Sequence, residues 1–336
     1  MRKSLCITSS PRELQQGLFG QAFYYLLQIL PYLEQQSIFP AWEIATQHYG
    51  DEPDCITVPG VLDLAYIPVA GPYLRLSLEE MRRRHAHVLG NDWAALNHLW
   101  NAYFLIPDRV KQAAGEVLPS GRVLGIHYRG TDKQTSTWDS NPISPGDYLT
   151  LIKNFIKDQE PFDAVFAASD QFSFVDQLRD AVQIPVVTMG EVEFHMASVH
   201  STTRAFKADR AMLDCLLFSR CNCVVETSSA LPSFAKLLNP GLEIYRCAAS
   251  KLFGKLYTNM PYFPVAHIPV IPLEDRESKA ILAAAMENDW TFAPQASKYM
   301  QPFVATPRWK RNHKIFTAAE NVGIDRIVGH ILPGHV

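Results

Sequence analysis

Short apolar runs alternate along this chain with stretches whose apolar residues recur at helical spacing. "SLCITS" (4–9) reads as a first strand. "GLFGQAFYYLLQILPYL" (17–33) reads as a glycine-bearing turn running into a helix, with an apolar run that stops at Pro31. "CITVP" and "AYIPV" are short strand candidates. Ser77 followed by Glu80 has the form of a capping box, so a helix is expected to open there. Trp93, Leu96, Trp100 and Phe104 then recur at helical spacing, a stripe better read as core than as a sugar platform.

The segment "EVLPSG" (116–121) breaks this pattern, and a cleaner alternation follows it. Strand "RVLGIHY" comes first. Ser144, Pro145 and Asp147 then make a helix start, with a serine cap, a proline at the first helical position and a carboxylate in the first turn. Strand "AVFAAS" (164–169), helix 172–182, strand "IPVVTM" (184–189), helix 204–219, strand "CVVET" (223–227), helix 230–238 and strand "LEIYRC" (242–247) are expected in turn. Continuous apolar strands alternating with helices imply a parallel sheet covered on both faces, an α/β fold. Residues 254–273 are proline-rich and read as a crossover segment before a further helix at 275–288. The expected organisation is an N-terminal α/β domain over 1–118, a Rossmann-like domain over 119–270 and a C-terminal helical segment, 271–336, packing back on the first domain.

Bulk composition narrows the class. The chain has 336 residues, 47% hydrophobic and 19% charged, which suits a globular protein with a substantial core. A net charge of −3 with no basic stripe argues against a nucleic-acid partner. Six cysteines lack a Cys-x-x-Cys pair, so buried thiols in a reducing compartment are expected rather than a metal site. The N-terminal "MRKSLCITSS" is too short in apolar residues for a signal peptide. No run reaches the roughly 18 apolar residues needed to cross a bilayer. A soluble, cytoplasmic protein without stable membrane insertion is the expectation.

The charged run "HYRGTDK" (127–133) ends an apolar strand, and strand ends are where an open parallel sheet places ligands. Arg129 has the planar fork that suits a phosphate, and Thr131 adds a hydroxyl. An Arg129–Asp132 surface ion pair is the plainer alternative. Strand "CVVE" likewise ends in Thr227, Ser228 and Ser229, hydroxyls at a helix start that suit an anion or a simple cap. Gly17 and Gly20 bracket the turn after the first strand, where backbone can approach a ligand or simply turn.

"VLGIHYRGTDK", then "SDQ" on a later strand end, then "RAMLDCLLFSRCNCVVETSSAL" resemble the fucosyltransferase superfamily. That group includes the α1,6-fucosyltransferases, the nodulation fucosyltransferases and the protein O-fucosyltransferases. The α1,6 motif, His-x-Arg-Arg-Thr-Asp-Lys, is the nearest in form. The matched motifs span residues 121 to 240 in the same order and spacing. The resemblance implies a GT-B fold, two Rossmann-like domains with a cleft between them, and GDP-fucose bound mainly to the second. It implies that His127 and Arg129 contact the diphosphate, that Asp214 pairs with guanine, that Ser228 or Ser229 binds phosphate and that Lys133 lies near the reacting centre. An ionised aspartate is a two-oxygen acceptor that matches guanine's two donors. Arg210, four residues before Asp214, offers that carboxylate an ordinary helical ion pair instead.

No Asp-x-Asp occurs, so nothing obvious holds a divalent metal on a diphosphate. Arg129, hydroxyls and backbone N–H groups would have to stabilise the leaving group, and metal-independent, inverting transfer is expected. No cofactor is expected beyond GDP-fucose as donor. The sequence departs from the motif at Gly130, where the second arginine is missing, and at Thr137, where the α1,6 enzymes carry a basic-catalyst glutamate. Asp139 is the nearest carboxylate for that task, with Glu191 and Glu193 as others. The expected partners are a GDP-sugar and a glycan acceptor, and the lack of a membrane anchor and stem points to a bacterial enzyme. Alternatives are another GDP-sugar, a protein hydroxyl acceptor, or a sugar-nucleotide-binding protein without transferase activity. A nicotinamide oxidoreductase is disfavoured because no Gly-x-Gly-x-x-Gly follows a strand.

Overall fold

The computed structural model describes residues 4–10, 17–46, 56–87, 89, 92–115, 117–130, 144–189, 204–227 and 229–246. In chain order the elements begin with β1 (Ser4–Thr8), a π-helical turn (Leu18–Phe23), α1 (Tyr24–Gln35), β2 (Ala41–Glu43), β3 (Ala45–Thr46) and β4 (Ile56–Thr57). Next come α2 (Val58–Val61), β5 (Asp63–Leu64), β6 (Tyr73–Ser77), α3 (Leu78–His85), α4 (Trp93–Asn101), β7 (Phe104–Leu105) and α5 (Asp108–Ala113). They continue with β8 (Val123–Tyr128), α6 (Pro145–Lys157), β9 (Ala164–Ser169), α7 (Phe172–Ala181), β10 (Val186–Val187) and α8 (Arg204–Ser219). Last are β11 (Cys223–Glu226), α9 (Ala230–Leu238) and β12 (Glu243–Arg246).

The chain divides into two compact units: Met1–Leu118 with Ala197–Arg220 and Phe234–Gly241, and Pro119–Met196 with Cys221–Ser233 and Leu242–Val336. In the first unit, β1 is the middle strand of a parallel sheet ordered β2-β1-β6. The turn before α1 is wound one residue wide, the Ala22 N–H reaching the Gly17 carbonyl at 3.1 Å. α1 runs through Pro31 to Gln35, further than its apolar run. It stops in a Schellman arrangement: Ser37 takes a left-handed φ of 52°, and the Ile38 N–H returns to the Leu33 carbonyl at 2.8 Å. Ser77 and Glu80 form the expected capping box, their reciprocal bonds measuring 3.1 and 2.9 Å.

The aromatic stripe is core. Trp93, Leu96 and Trp100 are buried on α4, while Phe104 lies on β7. Trp100 packs edge-on against Phe23 at 5.3 Å and Phe234 at 5.0 Å, with Phe104 at 4.6 Å. "AYIPV" forms no strand. The pairing falls just before it, where β5 meets β7 antiparallel, since Pro68 has no N–H to give a ladder.

The second unit holds a five-stranded, all-parallel sheet ordered β10-β9-β8-β11-β12. All six residues of β8 and all four of β11 are buried, as continuous apolar strands require. The core beneath joins Leu124, Ile126, Tyr148, Ile152, Phe155, Phe174 and Val225. Ser144 caps α6 by accepting from the Asp147 N–H at 3.1 Å, with Pro145 at the first turn. β10 is shorter than "IPVVTM" because Pro185 contributes only its carbonyl, which accepts from the Val165 N–H at 2.8 Å. Gly121 has a φ of +110°, and a Cβ there would stand 2.3 Å from the Asp163 carboxylate that caps the Arg122 N–H. The proposed crossover at 254–273 and helix at 275–288 lie outside the described residues.

Candidate functional site

The chain leaves β8 first to one side of the sheet, through β9 and β10, then to the other, through β11 and β12. The connection therefore reverses between β8 and β11, and the carboxyl ends of those two strands flank the reversal. His127 and Glu226 stand opposite one another in the ladder at this point. Both are buried, as are Thr227 and Ser229.

Side chains of the neighbouring strand ends hold the charged segment. The Thr227 hydroxyl accepts from the Arg129 N–H at 3.0 Å, and the Thr227 N–H donates to the His127 carbonyl at 3.1 Å. The Asp170 carboxylate, at the end of β9, accepts from the Gly130 N–H at 2.9 Å. Three strand ends thus meet around Arg129 and Gly130. Beneath them the Tyr148 hydroxyl lies 3.0 Å from the His127 carbonyl and 2.9 Å from the Val225 carbonyl. Its single proton is shared between the two strands. The Tyr148 ring stacks on Tyr128 at 5.4 Å and on Phe174 at 5.6 Å, so the hydroxyl is held by apolar packing.

Burial dominates the electrostatics. It pushes the His127 imidazole down to about 3, helped by the nearby Arg129 charge and opposed by a backbone hydrogen bond. The ring is neutral at physiological pH. Among the described residues of this segment Arg129 is therefore the cation, at partial exposure.

Gly130 is packed too closely for a side chain. A Cβ there would stand 2.5 Å from the Tyr128 ring and 2.7 Å from the Gln171 amide. An arginine at this position, as in the motif it resembles, requires both to move. The missing charge is thus tied to the surroundings of residue 130, which have closed over the glycine.

Asp214 belongs to the first unit, on α8. Its carboxylate accepts from Arg210 Nε at 3.1 Å, both side chains being largely buried. The expected helical pair is therefore formed. Burial still lifts the Asp214 carboxyl to about 6, with Arg210 pulling the other way. On the same helix Asp209 takes a bidentate contact from Arg109 at 2.7 and 2.8 Å, and Arg109 also donates to the Gly60 carbonyl at 2.8 Å.

The remaining sequence candidates stand as follows. Gly20 lies in the π-helical turn before α1. Thr131, Lys133, Thr137, Asp139, Glu191, Glu193 and Ser228 lie outside the described residues. Among the described residues no three His, Cys, Asp or Glu side chains group as a metal site. Cys6, Cys215, Cys221 and Cys223 are buried free thiols. No helix among the described residues is long and apolar enough to cross a membrane. Sequence reasoning gave no role to Tyr148, Asp170, Gln171 or Glu226. Asp170 and Gln171 were visible only as letters of "SDQ", and Tyr148 left a trace on the buried face that it shares with Leu151, Ile152 and Phe155.

No protein-family model matches the chain. No curated protein sequence matches it either. Solved structures do. The fucosyltransferase NodZ from Bradyrhizobium is similar over 73% of this chain and 96% of its own, at 13% identity and a TM-score of 0.46. Arabidopsis thaliana FUT1 in complex with GDP matches over 75% of this chain and 71% of its own, at 11% identity and a TM-score of 0.44. POFUT1 in complex with GDP matches over 74% and 98%, at 10% identity and a TM-score of 0.43.

Proposed function

We propose that this protein is a glycosyltransferase of GT-B class that moves a sugar, fucose first among candidates, from a GDP-sugar to a hydroxyl of a glycan. The observation that carries the reading is the meeting of Arg129, Gly130 and Thr227 at the reversal between β8 and β11. In open parallel sheets ligands bind at such reversals, beyond the carboxyl strand ends. The order of "HYRGTDK", "SDQ" and "VVETSSAL", which resembles the fucosyltransferase superfamily, selects a sugar nucleotide among the ligands that fit there.

In this reading the Arg129 guanidinium holds the diphosphate through paired donors and stabilises charge as the leaving group departs. Hydroxyls of Thr131, Thr227, Ser228 and Ser229 supply further donors. His127 is neutral, so one ring nitrogen donates and the other accepts, and it contributes a hydrogen bond rather than charge. Lys133 lies near the reacting centre, and Asp139 is the proposed base that takes the acceptor proton, giving inversion. Asp214 accepts from the guanine edge. The transfer is proposed to need no metal.

Thermal stabilisation by GDP, UDP, ADP and GDP-fucose, each with EDTA, tests the donor. A ligand that binds only the folded state adds about 2.7 kcal/mol at a hundred times its dissociation constant. A shift with GDP and GDP-fucose alone is expected. A shift with none of the four would sink the donor reading and favour a different ligand at the strand ends.

A further inference from the structure

The sheet of the first unit has a second edge, at the amino ends of its strands, which the proposed site does not use. α1 leaves the carboxyl end of β1 and ends at this edge, where Ile38, Phe39 and Pro40 lead into β2. β6 lies parallel to β1 with Tyr73 opposite Ser4, so the residues just before Tyr73 reach the same edge. The Tyr66 ring meets Phe39 at 5.0 Å, and the Tyr73 hydroxyl donates to the Val69 carbonyl at 2.8 Å. α3 runs beside α1 in the same direction. Arg82 lies over the Tyr25 ring and donates to the Gln28 side chain at 2.9 Å, and three residues on His85 stacks on Tyr32 at 3.7 Å. The last turn of α3 therefore ends at this edge as well.

Two kinds of side chain stand in solvent there. Ile67 is 92% exposed, Val69 69% and Phe39 51%. Arg83, Arg84 and His87 are exposed too, and among the described residues neither arginine is in an ion pair. Glu79 and Glu80 lie in the first turn of α3, at its other end, and Glu80 is held in the capping box. Glu34 in α1 is an exposed acid on this side. Cations in a last helical turn suit the helix dipole, but the dipole does not account for apolar side chains set near them. Ile67 projects almost wholly from the surface. An apolar group that projects this far suits a soft medium it can enter better than a rigid surface it would have to match.

We propose that the amino edge of the first sheet is a docking surface for an anionic lipid bilayer. Ile67 and Val69 enter the boundary between headgroups and acyl chains, with Phe39 beside them, while Arg83 and Arg84 face the lipid phosphates. Shallow apolar insertion and attraction to anionic lipid act together in such binding, and no spanning helix is needed. The carboxyl ends of β1, β2 and β6 then face away from the bilayer. The proposal does not depend on the donor reading, and it is tested without nucleotide.

Co-sedimentation of the full chain with vesicles tests it, using phosphatidylcholine alone and phosphatidylcholine with about 30% phosphatidylglycerol. The wild type should partition onto the anionic vesicles at low salt, at least about 10-fold more than onto the neutral ones, and should leave them at about 0.5 M salt. Ile67→Ser should weaken binding about 10-fold through lost apolar insertion. The double variant Arg83→Gln, Arg84→Gln should weaken it about 30-fold, from about 1 kcal/mol for each arginine at the surface. Melting temperatures should stay within about 2 °C of wild type, because all three side chains are exposed. A wild type that stays in the supernatant with anionic vesicles would overturn the proposal. So would variants that bind as the wild type does. If vesicles fail while Ile67→Ser changes the sedimentation coefficient of the free protein, the edge is a contact between copies of this chain and the bilayer is the wrong occupant.

Discussion

The Thr227 hydroxyl accepts the backbone N–H of Arg129 at 3.0 Å, 98 residues away in sequence. A side chain on one strand end thereby aims the backbone of another. Thr227→Val keeps the shape and removes the acceptor. It should cost about 1–3 kcal/mol, the penalty of leaving a part-buried donor unsatisfied, read as a lower urea midpoint. Thr227→Ser should recover most of it.

Arg129→Ala should leave the melting temperature near wild type, because the side chain is partly exposed. Transfer from GDP-fucose should fall by about 100- to 1000-fold or more, the scale of losing a preorganised donor to developing charge. Near-normal turnover in this variant would remove Arg129 from the site.

In the proposed guanine role, Asp214 would give donor binding a pH signature. Its carboxyl is held up to about 6, and guanine recognition needs the ionised form. GDP affinity should be flat above that point and fall towards tenfold per pH unit below it. Asp214→Asn should weaken GDP at neutral pH and abolish the slope. Because Arg210 pulls the carboxyl down, Arg210→Ala should move the midpoint upward. The stability effect has its own sign: the folded chain keeps this proton between about 4 and 6 while the unfolded chain has lost it. Asp214 therefore favours folding as pH falls through that window.

His127 acts in the opposite direction. Its folded value is near 3 and its ordinary value 6.5, so between the two the unfolded chain holds the extra proton. Its contribution is complete above about 6.5 and is lost as pH falls, by up to about 1.4 kcal/mol per pH unit. Urea unfolding from pH 4 to 7 should show a shallower acid loss in His127→Gln than in the wild type. Equal slopes would mean that the ring is charged in the folded protein.

Ser37→Gly should stabilise the protein by about 1 kcal/mol, since a left-handed φ of 52° costs a serine what it does not cost glycine. The Schellman bonds that end α1 are backbone bonds and survive the change. A drop in melting temperature would show that the Ser37 side chain has work of its own.

How much of this was legible follows from the range of each signal. The caps at Ser77 and Ser144 are local, and both formed where read. The strands "AVFAAS" and "CVVE" were legible because burial on both faces makes them apolar throughout. "AYIPV" and "IPVVTM" have equally apolar letters, but Pro68 and Pro185 have no N–H for a ladder, which cuts the pairing short. Arg129 and Thr227 could be named as a charged strand end and a hydroxyl strand end. That the one caps the other depends on which strands neighbour β8, and no local pattern carries strand order. Gln171 could be read only as the last letter of "SDQ", for the same reason: nothing near it in sequence says that it lies over Gly130.

The Tyr148 hydroxyl, shared between the carbonyls of His127 and Val225, joins helix α6 to two strands through one proton. To shift either strand end, the chain must give up a buried hydrogen bond and disturb a stack of three rings. The amides around Val225 and His127 should accordingly exchange with solvent only when the whole sheet opens, at rates set by global unfolding rather than local fraying. A ligand arriving at these strand ends would meet backbone that has already lost its freedom, and the entropy of ordering it was spent when the chain folded.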